Sequence, residues 1–117
     1  MTILIETEKL PERGPLNIRL DVSTTINTTA EEARHRVSVF VGHEIADLLS
    51  GEAPDLVWQK SGAYWRVPVV LSSRSLGRIG LVGFIDVNVE TGELQLTEQT
   101  IRRIEENAQR FAAGAAL

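Results

Sequence analysis

The longest patterned stretch of the chain covers residues 64–96, where apolar and polar side chains alternate. Within it, residues 64–72 carry apolar side chains at every second position, which predicts a strand. Residues 79–89 repeat the alternation, and the Glu-Thr-Gly-Glu sequence that follows predicts a tight turn in which Gly92 takes a positive φ. Residues 94–96 then return as a short strand. Two long strands and a short third one are therefore expected at the centre of a sheet.

Two other segments carry apolar residues at spacings of three and four, which predict amphipathic helices. The first helix is expected to begin after Thr28 or Thr29, since both offer a capping box with a glutamate three residues later. Its apolar spacing continues to Leu49, and Gly51 is a suitable residue to end it. The second helix is expected to begin after Thr97, whose hydroxyl can cap it, and to end near the C-terminus.

The region before the first helix has two apolar patterns of its own. Residues 3–5 form a short apolar run that is followed by proline and glycine, so residues 1–14 are expected to be an edge strand or a loose arm. Residues 16–22 read Leu-Asn-Ile-Arg-Leu-Asp-Val, and this strict alternation predicts a half-buried strand. A further short strand is expected over residues 55–60.

Together these elements predict an α+β domain over residues 15–117, in the order β-α-β-β-β-β-α. Short turns between successive strands indicate a mainly antiparallel sheet of four to five strands. Both helices are expected on one face of this sheet, which gives two layers. Pro68 has no N–H to donate to a ladder, so its strand should lie at an edge or have an outward-facing break there.

Length and composition are those of one globular domain, with 117 residues, 43% of them hydrophobic. The chain has no cysteine, so neither disulfides nor thiolate metal sites are available. The first residues show no basic region followed by a long apolar run, and no stretch of 18 apolar residues occurs anywhere. We therefore expect no membrane span and a cytoplasmic location.

The net charge of −4, from 16 acidic and 12 basic residues, argues against a large nucleic-acid interface. Phosphate binding needs clustered positive charge, and the basic residues are spread along the chain. Arg66, Arg74 and Arg78 around one hairpin are the nearest approach to a basic patch. Nucleic-acid binding through these three residues is therefore the least favoured hypothesis.

The sequence GFIDVNVETGELQL at residues 83–96, preceded by YWRVPVVLS, resembles a PepSY-type domain. The resemblance covers residues 60–96, about a third of the chain. It implies a small α+β module associated with binding or inhibiting a protein partner, without catalytic residues of its own. That family is usually exported, whereas this chain shows no signal sequence, and the strand at 16–22 is additional. Only Trp65 and the turn at Gly92 are carried over from the family pattern.

Candidate catalytic groups are few. His35 and His43 both lie on the first helix, eight residues apart, which places them about 80° from one another around its axis and makes a poor metal pair. We predict no metal site, no cofactor site and no catalytic set. An alternative hypothesis is a small-ligand-binding protein or enzyme that uses a crevice between helix and sheet, with His35 or His43 acting together with Asp86.

The favoured hypothesis is a non-enzymatic protein-interaction or regulatory module that binds a protein partner, or a second copy of itself as a dimer. Binding is expected through a sheet edge or through an aromatic–arginine patch, because tyrosine, tryptophan and arginine are enriched at interface hot spots. The candidate surface consists of five residues: Trp58, Tyr64, Arg66, Arg74 and Arg78. Size and acidic charge also suggest a second form of this hypothesis, an antitoxin-like partner of another small protein.

Overall fold

A computed structural model of the chain describes residues 2–6, 12–19 and 21–115. These residues form six strands and two helices, and they confirm the predicted α+β class. The strands are β1 (Ile3–Ile5), β2 (Leu49–Gly51), β3 (Asp55–Gln59), β4 (Gly62–Ser73), β5 (Gly77–Asn88) and β6 (Leu94–Gln95), and the helices are α1 (Ala30–Glu44) and α2 (Glu98–Gly114). Neither helix combines the length and the apolar content needed to cross a bilayer, within the residues described.

The sheet is organised around β4, the central strand. Its order is β1-β3-β4-β5-β6, with β2 also pairing with β4, and every pair is antiparallel except β1 with β3. The first half of β4 pairs with β3 and the second half pairs with β2. Pro68 lies between these two halves, and its carbonyl accepts a hydrogen bond from Glu52 N–H at 2.9 Å. Its missing N–H therefore faces the connection between β2 and β3, so a central strand accommodates a proline.

The core lies between one face of the sheet, called the inner face here, and both helices. The inner face is built mainly from every second residue of β4 and of β5 from Ile85 onward. A register shift at Val82 breaks the predicted alternation, so Leu81 lies on the opposite face and is exposed. Both helices pack on it, α1 against β2 and β4 and α2 chiefly against β5. The buried side chains at this contact include Trp65, Val67, Val69, Ile85 and Val87 from the sheet, Ala33, Val37 and Val41 from α1, and Ile104 and Ala108 from α2.

Of the two predicted capping boxes, the one that begins at Thr29 caps α1. The side chain of Thr29 accepts a hydrogen bond from Glu32 N–H at 3.1 Å and donates one to the Glu32 carboxylate at 3.3 Å. Thr28 is instead buried, and its carbonyl accepts a hydrogen bond from Trp65 Nε1 at 2.8 Å. The chain entering α1 is thereby fixed to the centre of the sheet.

The C-terminus of α1 differs from the prediction, because the helix ends at Glu44 and Leu49 begins β2. Gly51 therefore does not end a helix but lies in a strand between α1 and β4. A Cβ there would be 2.8 Å from Val67 Cγ1 and 3.1 Å from the carbonyl oxygen of Arg34, which is too close for any other residue. The pairing of β2 with the second half of β4 takes precedence over the helical spacing of Leu49.

The predicted strand over residues 16–22 is not formed in the part of that segment that the structure describes. The described part, 16–19 and 21–22, has no strand assignment, and Leu16, Ile18 and Val22 are 56%, 50% and 46% exposed. The radius of gyration is 16.1 Å, compared with about 13 Å for a compact domain of similar length, in keeping with chain that lies away from the core. We call the segment 15–26 the arm. Residues 1–14 were expected to be an edge strand or a loose arm, and within them Ile3–Ile5 form the edge strand β1.

Candidate functional site

The edge of the sheet at β5 is largely unpaired. The short strand β6 pairs only with Asp86 and Val87, at the end of β5. In the part of the chain that the structure describes, residues 77–85 have no strand neighbour on this side. An unpaired edge presents backbone donors and acceptors to any extended chain that comes alongside.

Hydrogen bonds made by Asn88 and Val82 identify which backbone groups of β5 face the open edge. Asn88 N–H donates to the Glu93 carbonyl on the β6 side at 2.9 Å, and backbone groups of every second residue point the same way. The carbonyl of Val82 also points to this side, where it accepts a hydrogen bond from Asn107 Nδ2 at 2.8 Å. Phe84 lies four residues before Asn88, so its N–H and its carbonyl face the same side, where no strand pairs with them in the described part of the chain.

A groove of about 590 Å³ runs beside this edge, between β5 and α2. Leu81 and Phe84 line it from β5, and Thr100, Arg103 and Asn107 line it from α2. The groove therefore has an open strand edge along its floor and a helix along one wall. An extended peptide can add to a sheet in such a place, with main-chain hydrogen bonds to the edge and side chains in the groove.

Two glycines of β5 set the distance between the strand and α2. A Cβ on Gly83 would be 2.8 Å from Cγ1 of Ile104, and a Cβ on Gly80 would be 3.1 Å from the ring of Phe111. Both glycines admit apolar side chains of α2, and this close approach holds the helix beside the edge.

The two sides of the groove differ in chemistry. On the outer face of the sheet, opposite the core, Leu81 and Phe84 are 40% and 47% exposed although both are large and apolar. The α2 side presents hydroxyl and amide groups from Thr100 and Asn107, together with the guanidinium of Arg103. Among the described residues, Arg103 makes no ion pair within 4 Å. The groove thus combines an apolar side with a polar side that carries one unneutralised cation.

At one end of the groove, Arg66 and Asp86 form a half-buried ion pair. Arg66 donates to both carboxylate oxygens of Asp86, at 2.9 and 3.0 Å, and also contacts Glu6. Gln59 Nε2 donates to the same carboxylate at 3.1 Å. The hydrogen bonds that Arg66 donates to the Asp86 carboxylate raise the pKa of Arg66 above its usual value, so this guanidinium stays charged and paired.

The aromatic candidates of the predicted surface are mostly enclosed. Trp58 is half-buried and packs against the core from β3. Tyr64 is only 7% exposed, and its hydroxyl lies 2.9 Å from Ser61 Oγ. Neither side chain lines the groove.

The arginine candidates lie at separate places. Arg66 is held at the middle of the outer face by Asp86, whereas Arg74 is exposed in the turn between β4 and β5. Arg78 is exposed at the start of β5 and donates two hydrogen bonds to the Glu52 carboxylate, which raise its pKa. Of the five candidates, only Arg66 lines the groove.

The alternative set of histidine and aspartate is not assembled. His35 and His43 are exposed on α1, which covers the inner face, whereas Asp86 pairs with Arg66 on the outer face. The sheet therefore separates both imidazoles from the carboxylate. Within the described residues, no group of three or more His, Asp or Glu side chains is placed to hold a metal ion.

Sequence reasoning missed the residues that form the groove: Leu81, Phe84, Thr100, Arg103 and Asn107. One signal was available, since Asn107 is a polar residue at helical spacing between Ile104 and Phe111 on the buried stripe of α2. A polar residue on a buried stripe needs a hydrogen-bond partner, and the edge carbonyl of Val82 provides it.

Comparison with protein-family models, with curated proteins and with solved structures finds no match to this chain. The resemblance to PepSY-type domains therefore stays a prediction.

Proposed function

We propose that the chain is a non-enzymatic protein-interaction module that binds an extended segment of a protein partner, or of a second copy, by strand addition at β5. The observation that carries this proposal is the open edge at Phe84, whose backbone groups face a groove walled by α2. Strand addition gives affinity through main-chain hydrogen bonds and specificity through the side chains on either side of the added strand.

The groove supplies energy for such binding from two sources. Each backbone hydrogen bond gained contributes about 0.5–1.5 kcal/mol net. Covering the exposed apolar surface of Leu81 and Phe84 adds about 25 cal/mol for each Å² removed from water. An open edge can pair with the edges of other molecules and cause aggregation. A strand added in the working protein would prevent such pairing.

The titratable groups of the groove support a binding role over an enzymatic one. Arg66 and Asp86 neutralise each other, and the third charged group that lines the groove is the guanidinium of Arg103. A general acid or base needs a group that exchanges protons near the working pH. We keep the cytoplasm as the proposed location, and an antitoxin-like role is one form that such a partnership would take.

Replacing Phe84 with proline and, separately, with threonine tests the proposal. F84P removes the outward N–H and leaves the bonds to β4 in place, whereas F84T removes the ring and keeps the N–H. A partner recovered from the native cell would be identified by mass spectrometry, purified and titrated against each variant by calorimetry. We expect F84P to weaken binding at least tenfold and F84T to weaken it less.

One result with these variants would contradict the proposal. If F84P binds the purified partner as tightly as the unmodified chain, the partner does not use this edge and the proposal is wrong. Thermal unfolding of both variants serves as the control for folding. We expect F84P to retain a cooperative transition, because the odd-numbered residues around it make the hydrogen bonds to β4.

A further inference from the structure

We propose that the strand which occupies the groove is the arm of a second copy, so that two copies exchange arms in a two-fold dimer. This inference rests on the proposed function, because it names the occupant of the same edge. Among the residues that the structure describes, the segment with a strand pattern at 16–22 pairs with no sheet, and the sheet edge at 77–85 pairs with no strand. Each lacks what the other supplies.

The arm is accessible for pairing. Its residues 15–19 and 21–26 are outside helices and strands, and their backbone makes no hydrogen bond to the sheet among the described residues. Leu16, Ile18 and Val22 are about half exposed, although their spacing places them on one side of an extended chain. Three large apolar side chains on one side of an unpaired segment are typical of a strand that is buried in a complex.

The two sides of the arm match the two sides of the groove. A strand added to β5 would place one side of the arm beside Leu81 and Phe84 on the outer face, and the other side against α2. The outer face offers exposed apolar surface, which suits Leu16, Ile18 and Val22. The α2 side is polar, which suits the alternate residues of the arm.

Charge gives a further match. The polar side of the arm carries Asp21, and the α2 wall carries Arg103, which has no ion-pair partner among the described residues. A carboxylate placed there would neutralise the cation of the groove. Arg19, also on the polar side, has a stem long enough to carry its charge to solvent at the rim.

The attachment of the arm favours a second copy as the source of the strand. Thr28 N–H and Asn27 N–H both donate to the Val89 carbonyl at 2.9 Å, which fixes the arm at the end of β5. In the same chain, β6 occupies the edge beside that attachment. An arm that enters the groove of a second copy is not attached to that copy, so it does not have to pass around that copy's β6. Reciprocal exchange pairs two segments of about 23 Å each and closes the interface around a two-fold axis.

The absence of cysteine from the chain allows a direct test by disulfide trapping. The D21C variant and the R103C variant would be mixed in equal amounts and oxidised mildly. We expect a linked heterodimer of twice the 12.9 kDa chain mass in excess over both homodimers. H43C, on the exposed side of α1, replaces R103C in the control and should give only the statistical amount.

A pair of neighbouring arm variants tests the side of the arm that is buried. I18K places a charge on the apolar side, and N17K places the same charge one residue away on the polar side. By sedimentation equilibrium, we expect I18K to raise the dimer dissociation constant at least tenfold and N17K to raise it less than threefold. Both side chains are exposed in the single chain, so the melting temperature of the monomer should not change.

Four outcomes would overturn the inference. Two concern association: a chain that stays monomeric up to 1 mM, or equal effects of I18K and N17K on the dimer dissociation constant. Two concern disulfides: linkage of D21C only to itself, or an intramolecular disulfide in a dilute D21C/R103C double variant.

The F84P variant separates failure of this inference from failure of the proposed function. If F84P loses a purified partner while I18K leaves self-association unchanged, the arm is not the occupant and the edge is still a binding site. If F84P changes neither self-association nor partner binding, both proposals fail.

Discussion

Replacing Gly83 with alanine tests the close contact between β5 and α2 that forms the groove. The backbone of Gly83 does not require a positive φ, so alanine is compatible with its conformation. The added Cβ would lie 2.8 Å from Cγ1 of Ile104, whose side chain is 1% exposed and has no room to withdraw. The helix must then move away from the strand by several tenths of an ångström.

The expected loss in the free energy of unfolding of Gly83→Ala is the difference between two effects. Overpacking a well-packed contact costs about 1–3 kcal/mol. Replacing glycine by alanine also lowers the entropy of the unfolded chain, which stabilises the folded state by about 0.4–1 kcal/mol. The net destabilisation of Gly83→Ala is therefore about 1–2 kcal/mol, or a fall in melting temperature of about 4–8 °C for a chain of this length.

Gly80 supplies the matched control, since it lies in the same strand and faces the same helix. Its added Cβ would be 3.1 Å from the ring of Phe111, which is 39% exposed and can rotate toward solvent. Urea unfolding of both variants should show a loss for Gly83→Ala and a change of less than about 0.5 kcal/mol for Gly80→Ala. The reasoning is refuted if Gly83→Ala is as stable as the unmodified chain, or if the two variants are destabilised equally.

Three other substitutions test contacts that hold the sheet in place, each measured by urea unfolding. Asp86→Ala leaves the half-buried guanidinium of Arg66 without its bidentate acceptor and should cost about 2 kcal/mol; a loss below 0.5 kcal/mol would mean that the pair is not structural. Gly92→Ala should cost at least about 2 kcal/mol, because φ is +75° there and a Cβ would meet an α1 side chain. Trp65→Phe removes the donor to the buried carbonyl of Thr28 and should cost about 2 kcal/mol, and no loss would show that this bond is dispensable.

The central part of the fold follows from local patterns in the sequence. The alternation over residues 64–72 and 79–89 identified both long strands, because most side chains on the inner face of each strand are buried. The cap at Thr97 identified the start of α2, and its side chain accepts the Thr100 N–H. In these segments, local propensity and tertiary packing favour the same structure.

Other segments were mispredicted because tertiary pairing decides them. Leu49 fits the helical spacing of α1, yet the unpaired second half of β4 draws residues 49–51 into a strand. The alternation over residues 16–22 is a strand pattern whose partner does not lie in the described part of the chain. Periodicity reports which side of a segment is apolar, and it does not report what covers that side.

The groove was not predictable from the sequence for a related reason. Strand order determines which edge stays open, and no local pattern states that β6 covers only two residues of β5. The arginines and aromatic residues that composition singles out were mostly committed to contacts within the chain, as Arg66 with Asp86 shows. Arg103 was available for binding, but one arginine on an amphipathic helix gives no signal by itself.

Amide hydrogen exchange at Phe84 is the most direct test of whether this edge pairs with an extended strand. The N–H of Phe84 should exchange fast in dilute monomer, while that of Ile85, which faces β4, exchanges slowly. On dimer formation, or on binding of a protein partner, we expect the Phe84 amide alone of these two to become at least tenfold slower. Exchange at Phe84 that is slow in the dilute monomer, or that stays fast in the complex, would contradict strand addition at β5.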